Sequence, residues 1–311
     1  MSDRFAAERR AAEQEALLHA RPDLAAFAVT GGDRLGWLNG LVTQDVGKLA
    51  AGAGAYGLAV TKVGRILAEV WIVAAAERAF VIVAREKLEA LRHHFEKHLV
   101  MEDAEVGPAE ERAILFVHGP RALDLVDEAR LRGADAAMID WTGRRNAAVI
   151  LAAEASGEAL AAALRAKGAT PVSDEAFDAL RTAWGVPRFG VDYDDETLPQ
   201  EASMERLAVS FTKGCYLGQE TVFRLEKRGH PRRRLAHLEV EGEEPIAKGA
   251  EIASAEGPVG TLSSAAPAAD GAGLLAIGSV KHKLATAGTA LTVAGRAAKV
   301  IGPAGERIPR T

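Results

Sequence analysis

The sequence predicts an α+β fold with more than one domain. Its 311 residues exceed the roughly 250–300 residues at which a single hydrophobic core stops growing. Residues 53–84 are rich in Val, Ile, Ala and aromatic residues and are broken only by short turn segments. This pattern indicates an antiparallel meander, because parallel strands need helical crossovers between them. Beyond Arg232, short β-prone runs alternate with Gly and Pro, which is typical of a small β-barrel.

The first predicted unit covers residues 1–110 and is completed by residues 185–230. Its first 20 residues interleave acidic and basic side chains, which indicates an exposed helix. The remaining elements follow from apolar runs, turn residues and helical spacing. They are a strand at 24–30, a helix that Asp33 caps and that runs to Leu41, the meander, and a helix over 86–99.

The second predicted unit covers residues 111–184, and the barrel covers 231–311. The second unit repeats the order strand, helix, two strands, helix, and then adds a helix over 174–184 with Ser173 as its cap. Between the second unit and the motif described below, residues 185–203 are rich in Gly, Pro and Asp. A long ordered loop of this kind is usually retained for binding.

Composition excludes several classes of function. A net charge of −5 gives no global attraction to nucleic acid or to an anionic membrane. The single cysteine rules out an intrachain disulfide and any zinc or iron–sulfur site built from several cysteines of this chain. The N-terminus lacks the apolar core of a signal peptide, and no run approaches the ~18 apolar residues of a membrane span. We therefore expect a cytoplasmic protein without nucleic-acid or membrane partners.

The segment most informative about chemistry is Lys-Gly-Cys-Tyr-Leu-Gly-Gln-Glu, residues 213–220. It leads into a predicted helix that extends to about Lys227, so backbone N–H groups and Lys213 favour the thiolate of Cys215, whereas Glu220 opposes it. The alternative is that Cys215 is a small buried hydrophobe. The glycines of the segment, including Gly218, are also explained by tight packing or an unusual backbone conformation.

The loop ahead of this segment contains Leu-Pro-Gln-Glu, residues 198–201. The carboxylate of Glu201 can accept two hydrogen bonds from a ring that carries an amino group beside an N–H, as pterins and guanines do. The alternative is a solvated loop acid.

Two further clusters have two interpretations each. The basic run within residues 227–234 could neutralise a polyglutamate tail or a phosphate-bearing partner, or it could be a solvated linker into the barrel. His94 and His98 stand four residues apart on a predicted helix and could hold a metal. No further ligand is evident in the sequence, so we favour a surface helix.

Together, the segment 213–220, the loop 184–201 and the opening residues 27–46 resemble the family of YgfZ-type folate-binding proteins. This family is related to the glycine-cleavage T-protein and to mitochondrial iron–sulfur assembly factors. The resemblance implies two ferredoxin-like α/β folate-binding units and a C-terminal β-barrel around a central channel, with tetrahydrofolate or a derivative as the cofactor. It implies Cys215 and Lys213 as catalytic residues and the following folate contacts: Glu201, Tyr216, Gly218, Gln219, Glu220 and Arg224.

One departure separates the chain from T-proteins. T-proteins resembling this sequence carry an acidic pair where this chain has Ala68 and Glu69. The resemblance thus implies a folate-binding protein that supports iron–sulfur cluster assembly or repair, with assembly proteins or client enzymes as partners. A folate-dependent aminomethyl- or methyltransferase is the alternative, and whether the chain is an enzyme stays open.

Overall fold

The structure of the protein is a computed structural model that describes residues 2–144, 146–268, 271 and 273–306, with side chains described from residue 7 onward. The helices are α1 (Ser2–Gln14), α2 (Arg34–Asn39), α3 (Leu88–Glu96), α4 (Ala122–Leu131), α5 (Gly157–Ala166), α6 (Asp174–Ala183), α7 (Glu205–Ala208) and α8 (Gln219–Arg228). The strands are β1 (Leu17–Ala20), β2 (Leu24–Thr30), β3 (Gly54–Val60), β4 (Ile66–Ala74), β5 (Arg78–Ala84), β6 (Glu105–Glu110), β7 (Arg112–His118), β8 (Asp135–Met138), β9 (Ala147–Ala153), β10 (Thr170–Val172), β11 (Arg233–Glu241), β12 (Glu251–Ser254), β13 (Gly257–Pro267), β14 (Gly273–Lys281), β15 (Ala290–Val293) and β16 (Arg296–Pro303).

The first sheet has five strands in the order β3-β4-β5-β2-β6. The predicted meander is present, since β3, β4 and β5 pair antiparallel in succession. Successive side chains of β2 point to opposite faces of the sheet, and both faces are buried. Phe27 and Val29 pack beneath α2 and α3, whereas Leu24 and Ala26 face the centre of the molecule.

The predicted cap of α2 is wrong. The Asp33 side chain makes no capping hydrogen bond. Its Oδ2 instead accepts from the backbone N–H of Asp103, at 2.9 Å. The carboxylate predicted to cap the helix therefore makes a tertiary contact with the segment before β6.

The second sheet has five strands in the order β10-β1-β7-β9-β8. It recruits β1 from the region predicted to be wholly helical, because α1 ends at Gln14 and the chain becomes extended from Leu17. Strand β1 pairs with β7 and β10, so the N-terminal segment lies in the second sheet, although the predicted division placed it in the first unit. The predicted cap of α6 is confirmed, since the Ser173 hydroxyl accepts from Ala176 N–H.

The C-terminal strands close into the predicted barrel, in the order β11-β14-β13-β12-β15-β16. Its interior is an apolar cluster of its own. A separate central cluster joins the two sheets, the connecting loop and the barrel. It includes Leu58 of the first sheet, Phe116 of the second, Met204 at the end of the loop and Leu235 of the barrel. This shared core fixes the two sheets and the loop relative to one another, and the candidate site lies among them. No helix in the described part of the chain is long and apolar enough to cross a membrane.

Candidate functional site

A cavity of about 600 Å³ lies between the two sheets and is bordered by residues 186–191 of the connecting loop. This volume is in the range of small-molecule sites. The first sheet supplies Tyr56, Glu69 and Trp71, and the turn between β1 and β2 supplies Arg21 and Asp23. Further residues of the lining include Ala68, Glu86, Trp141, Phe177, Arg188 and Phe189.

Glu69 is the ionisable residue within β4, a strand that is otherwise apolar. Its Oε1 accepts hydrogen bonds from the hydroxyls of Tyr56, at 2.8 Å, and Tyr193, at 2.5 Å. Burial raises the pKa of Glu69, and the two tyrosine hydrogen bonds oppose that rise without cancelling it. Both hydroxyls bond the same oxygen, so Oε2 has no protein partner within the described residues. This oxygen is the acceptor that a ligand can use.

Aromatic side chains form the walls around this carboxylate. The Tyr56 and Trp71 ring centroids are 5.3 Å apart, and Trp141 stands edge-on to Trp71 at 6.2 Å. The buried Nε1 of Trp71 has no hydrogen-bond partner in the described part of the protein. A buried donor without a partner costs stability unless a ligand or water occupies the cavity. The walls thus combine flat apolar faces with one free donor and one free acceptor.

Charged groups stand on one side of the cavity. Arg21 donates to both carboxylate oxygens of Asp23, at 2.8 and 2.7 Å. Burial opposes ionisation of Asp23, but the two arginines Arg21 and Arg188 together lower its pKa. Arg188 also lies 3.1 Å from Asp174 and 3.4 Å from Asp178 on α6. These pairs hold the cavity side of the loop against α6 and the β1–β2 turn.

The same loop is fixed from the opposite side by Asp192, whose side chain is fully buried. Its carboxylate accepts from the hydroxyls of Ser263, at 2.5 Å, and Ser264, at 2.7 Å, both on β13 of the barrel. It also accepts from the Arg188 backbone N–H, at 2.9 Å, and pairs with the buried guanidinium of Arg181. Because these donors come from α6, the loop and the barrel, Asp192 joins all three.

Lys213, predicted to be catalytic, is buried and fully engaged. Its ammonium donates to three backbone carbonyls of the segment after α2: those of Asn39, at 2.6 Å, Val42, at 2.7 Å, and Gln44, at 2.8 Å. An ammonium has three donors, so none remains for a substrate. Burial lowers the pKa of Lys213 to about 8, which leaves it mainly charged at neutral pH. The structure therefore gives Lys213 a role in positioning the 39–45 segment.

Cys215 is exposed and lies outside the cavity. The helix that was expected to begin near it begins instead at Gln219, four residues later. Glu220 and Arg224 of α8, which were predicted to contact folate, are exposed, and no side-chain partner is described for either. Their predicted contact with folate stays a prediction, since neither lines the cavity.

The other residues of the motif predicted to contact folate, Tyr216, Gly218 and Gln219, make contacts within the protein. Tyr216 is buried, with the Lys213 ammonium 5.1 Å from its ring centroid. Gly218 has φ +79° and lies against β3 and the following turn, where a Cβ would stand 2.2 Å from the Thr61 carbonyl oxygen. Gln219 begins α8, and its N–H bonds the Tyr216 carbonyl at 3.2 Å. The motif thus docks α8 onto the first sheet, outside the cavity.

Glu201, the predicted pterin contact, also lies outside the cavity lining. Its Oε2 accepts from Leu198 N–H at 3.1 Å, and its carbonyl accepts from Leu235 N–H at the start of the barrel. Its contact with a pterin stays a prediction, whereas Glu69 is a carboxylate that lines the cavity. The signal for Glu69 was present in the sequence: a single acid inside a continuous apolar strand. Tyr193 and Trp71 carried no such signal, because both read as ordinary core residues.

His94 lies in α3, and His98 lies two residues beyond its end. His98 Nδ1 is hydrogen-bonded to the His94 carbonyl, at 2.8 Å. Within the residues whose placement is described, no group of three or more potential ligands is assembled. In the basic run, His230 stacks on His282 at 4.7 Å, and Arg234 pairs with Glu205. The exposed members of that run, such as Lys227 and Arg228, lie away from the cavity.

Residues 1–155 match the family model described as the GCVT N-terminal domain. The chain is 28% identical to an aminomethyltransferase of Rubrobacter xylanophilus, over 79% of this chain and 73% of the relative. It is also 28% identical to the tRNA-modifying protein YgfZ of Hamiltonella defensa, over 70% of this chain and 68% of the relative. Among solved structures, the aminomethyltransferase of Bartonella henselae superposes with a TM-score of 0.81, covering 96% of this chain and 88% of that one at 21% identity, and so shares the fold.

Proposed function

Because the chain is a YgfZ-type member of the superfamily that contains the glycine-cleavage T-proteins, we propose that it binds a reduced folate, tetrahydrofolate or a derivative, in the cavity between its two sheets. The observation that carries this proposal is the free acceptor Oε2 of Glu69, held inside an aromatic cavity by two tyrosine hydroxyls. A bound folate would supply a carrier for one-carbon groups.

The chemistry of the cavity fits a pterin. A pterin is a flat heteroaromatic ring, so the faces of Trp71 and Trp141 can stack against it. Its amino group and adjacent N–H are donors, and Oε2 of Glu69 is the carboxylate oxygen left to accept from them. Its carbonyl needs a donor, and Trp71 Nε1 is a buried donor without a protein partner.

Binding measurements on two matched glutamate variants test the assignment. In Glu69→Gln, an oxygen remains to accept from both tyrosines, but the ligand-facing acceptor becomes an amide donor. Loss of a charged hydrogen bond of about 1.5–3 kcal/mol predicts roughly 10-fold to 150-fold weaker binding. Calorimetry with 5-formyl-tetrahydrofolate is the measurement, and Glu201→Gln is the matched control.

Three results would be informative. Weaker binding in Glu69→Gln alone supports the cavity assignment. Weaker binding in Glu201→Gln alone would overturn it in favour of the glutamate predicted from sequence. No binding to the wild-type protein would overturn the folate function altogether.

Aminomethyl transfer is the second candidate, favoured by the aminomethyltransferase relatives. The cavity argues against it. Ala68 lines the cavity and offers no carboxylate, and the Glu69 carboxyl, whose pKa is raised, is held by two tyrosines. A misplacement of about 1 Å at a reacting group can cost about 10²-fold in rate. Release of methylene-tetrahydrofolate from an aminomethylated carrier protein would establish the transferase instead.

Support of iron–sulfur cluster assembly or repair is the cellular role we propose, with Cys215 acting on a partner protein. The thiol is exposed and lies outside the cavity, so it is accessible to an assembly protein or client enzyme. A strain lacking the protein should lose iron–sulfur enzyme activity under oxidative stress. A Cys215→Ala copy should fail to restore that activity, while binding folate normally; full restoration would refute the role of the cysteine.

A further inference from the structure

A second cavity, of about 320 Å³, adjoins the first. Ala68 lines both, and the successive residues Glu86 and Lys87 line the first and the second, respectively. The Lys87 ammonium lies 5.5 Å from the ring centroid of Phe189, which belongs to the first cavity. The two cavities are therefore neighbours at Lys87.

The second cavity is basic. Helix α3 presents Ala90 and His94 on one face, Lys97 follows its last residue, and His93 borders the same space. With Lys87, these side chains face a single acid, Asp195. The floor is apolar and is formed by Leu67, Ala68, Ala90 and Leu91.

Several of these donors are available to a ligand. Lys87 is paired with Asp195 at 2.8 Å, but each ammonium has three donors. Lys97 has no side-chain partner in the described structure. The Nε2 of His94 is shielded from solvent and likewise has no hydrogen-bond partner among the described residues.

We propose that this second cavity binds the γ-linked glutamyl carboxylates of a folate whose ring occupies the first cavity. The inference rests on the proposed folate function and adds the form of the ligand: a polyglutamylated folate. The proposal assigns the glutamyl tail to the α3 cavity. The basic run at 227–234 lines neither cavity.

The chemistry of the two cavities supports this division. The first cavity offers aromatic faces that suit a ring, and its arginines are engaged with acids or carbonyls of the protein. The second offers cations to a ligand that carries a free carboxylate on each glutamyl unit. Burial lowers the pKa of His94, and His98 and Lys97 lower it further. A lowered pKa disfavours the charged form of His94, so Lys87 and Lys97 supply the charge of the site.

The test compares 5-formyl-tetrahydrofolate carrying one glutamate with the same compound carrying three, by calorimetry at low salt. A partly exposed ion pair contributes about 0.2–1 kcal/mol, so two lysines predict roughly twofold to 30-fold tighter binding of the triglutamate to the wild-type protein. Lys97→Glu should abolish this preference. Lys97→Ala should reduce it, and Lys299→Glu, the same charge change on an exposed position of the barrel, should retain it.

Equal affinity of the wild-type protein for the two compounds would overturn the tail site and leave the folate function standing. A preference that survives Lys97→Glu would also overturn it. Failure of both compounds to bind would overturn the folate function itself, and the two failures are thereby distinguishable.

Discussion

Replacement of Gly218 by alanine tests whether the 213–220 motif docks α8 onto the first sheet. The residue precedes α8 with φ +79°, a conformation that costs an L-residue roughly 1–2 kcal/mol. An added Cβ would lie 2.2 Å from the Thr61 carbonyl oxygen and 3.2 Å from the Gly64 Cα. Both are backbone atoms, so the turn or α8 must move.

The expected magnitude follows from opposing effects. Alanine restricts the unfolded chain and recovers about 0.4–1 kcal/mol, but the strained φ and the backbone clash exceed this gain. We expect a net loss of about 2–4 kcal/mol in the free energy of unfolding. Gly214→Ala is the matched control in the same motif, because its Cβ would meet no atom within 4 Å.

Urea denaturation followed by fluorescence measures both variants, and calorimetry measures folate affinity under conditions where each is folded. The docking role predicts a lower midpoint for Gly218→Ala alone, with folate affinity unchanged. An unchanged midpoint for Gly218→Ala would refute the clash. Normal stability with weakened folate binding would instead restore Gly218 as a ligand contact.

Three further predictions concern the supports of the site. Asp192→Ala should cost about 1–3 kcal/mol of stability in urea, because it removes the buried acceptor shared by Arg181, Ser263 and Ser264 while Asp178 still pairs with Arg181. Asp124→Ala on the surface of α4 should cost less than about 1 kcal/mol. Lys213→Met should cost about 2–4 kcal/mol and speed amide hydrogen exchange in residues 39–45; unchanged exchange there would refute the positioning role. Burial, with a smaller effect of Arg144, lowers the pKa of His237 to about 4 from 6.5, so the unfolded state takes up the proton first as pH falls. Up to about 3 kcal/mol present above pH 6.5 should be lost between pH 6.5 and 4, and His237→Phe should flatten that part of the pH profile.

The elements that the sequence predicted are those whose own residues determine them. Helix α5 and the meander strands have clear periodicity and bounded turns, and the structure contains them. Two of the strands that sequence reasoning missed, β6 and β10, lie at sheet edges and contain Pro108 and Pro171, which disfavour the prediction of a strand. Strand β1 exists because β7 and β10 flank it, information that lies about 100 residues or more away in the chain.

The residues predicted to contact folate do not line the cavity, and their contact with folate stays a prediction. The motif at 213–220 indicated the family, yet its residues dock onto the first sheet, and the cavity is formed by residues from β4, the β1–β2 turn and the loop at 186–191. Only the fold brings Tyr193 to Glu69 across 124 positions of sequence. The absence of a nucleic-acid partner, inferred from net charge, stays a prediction, because net charge does not describe local patches such as the basic run; two relatives are named tRNA-modifying proteins.

The buried carboxylate of Asp192 has a consequence for the barrel. The barrel supplies no residue to the lining of the large cavity, yet Ser263 and Ser264 hold the carboxylate on which the 186–191 loop depends. The barrel therefore acts as a remote brace for the cavity wall. Damage to β13 should register first as a ligand-binding defect, in a protein whose two sheets still fold.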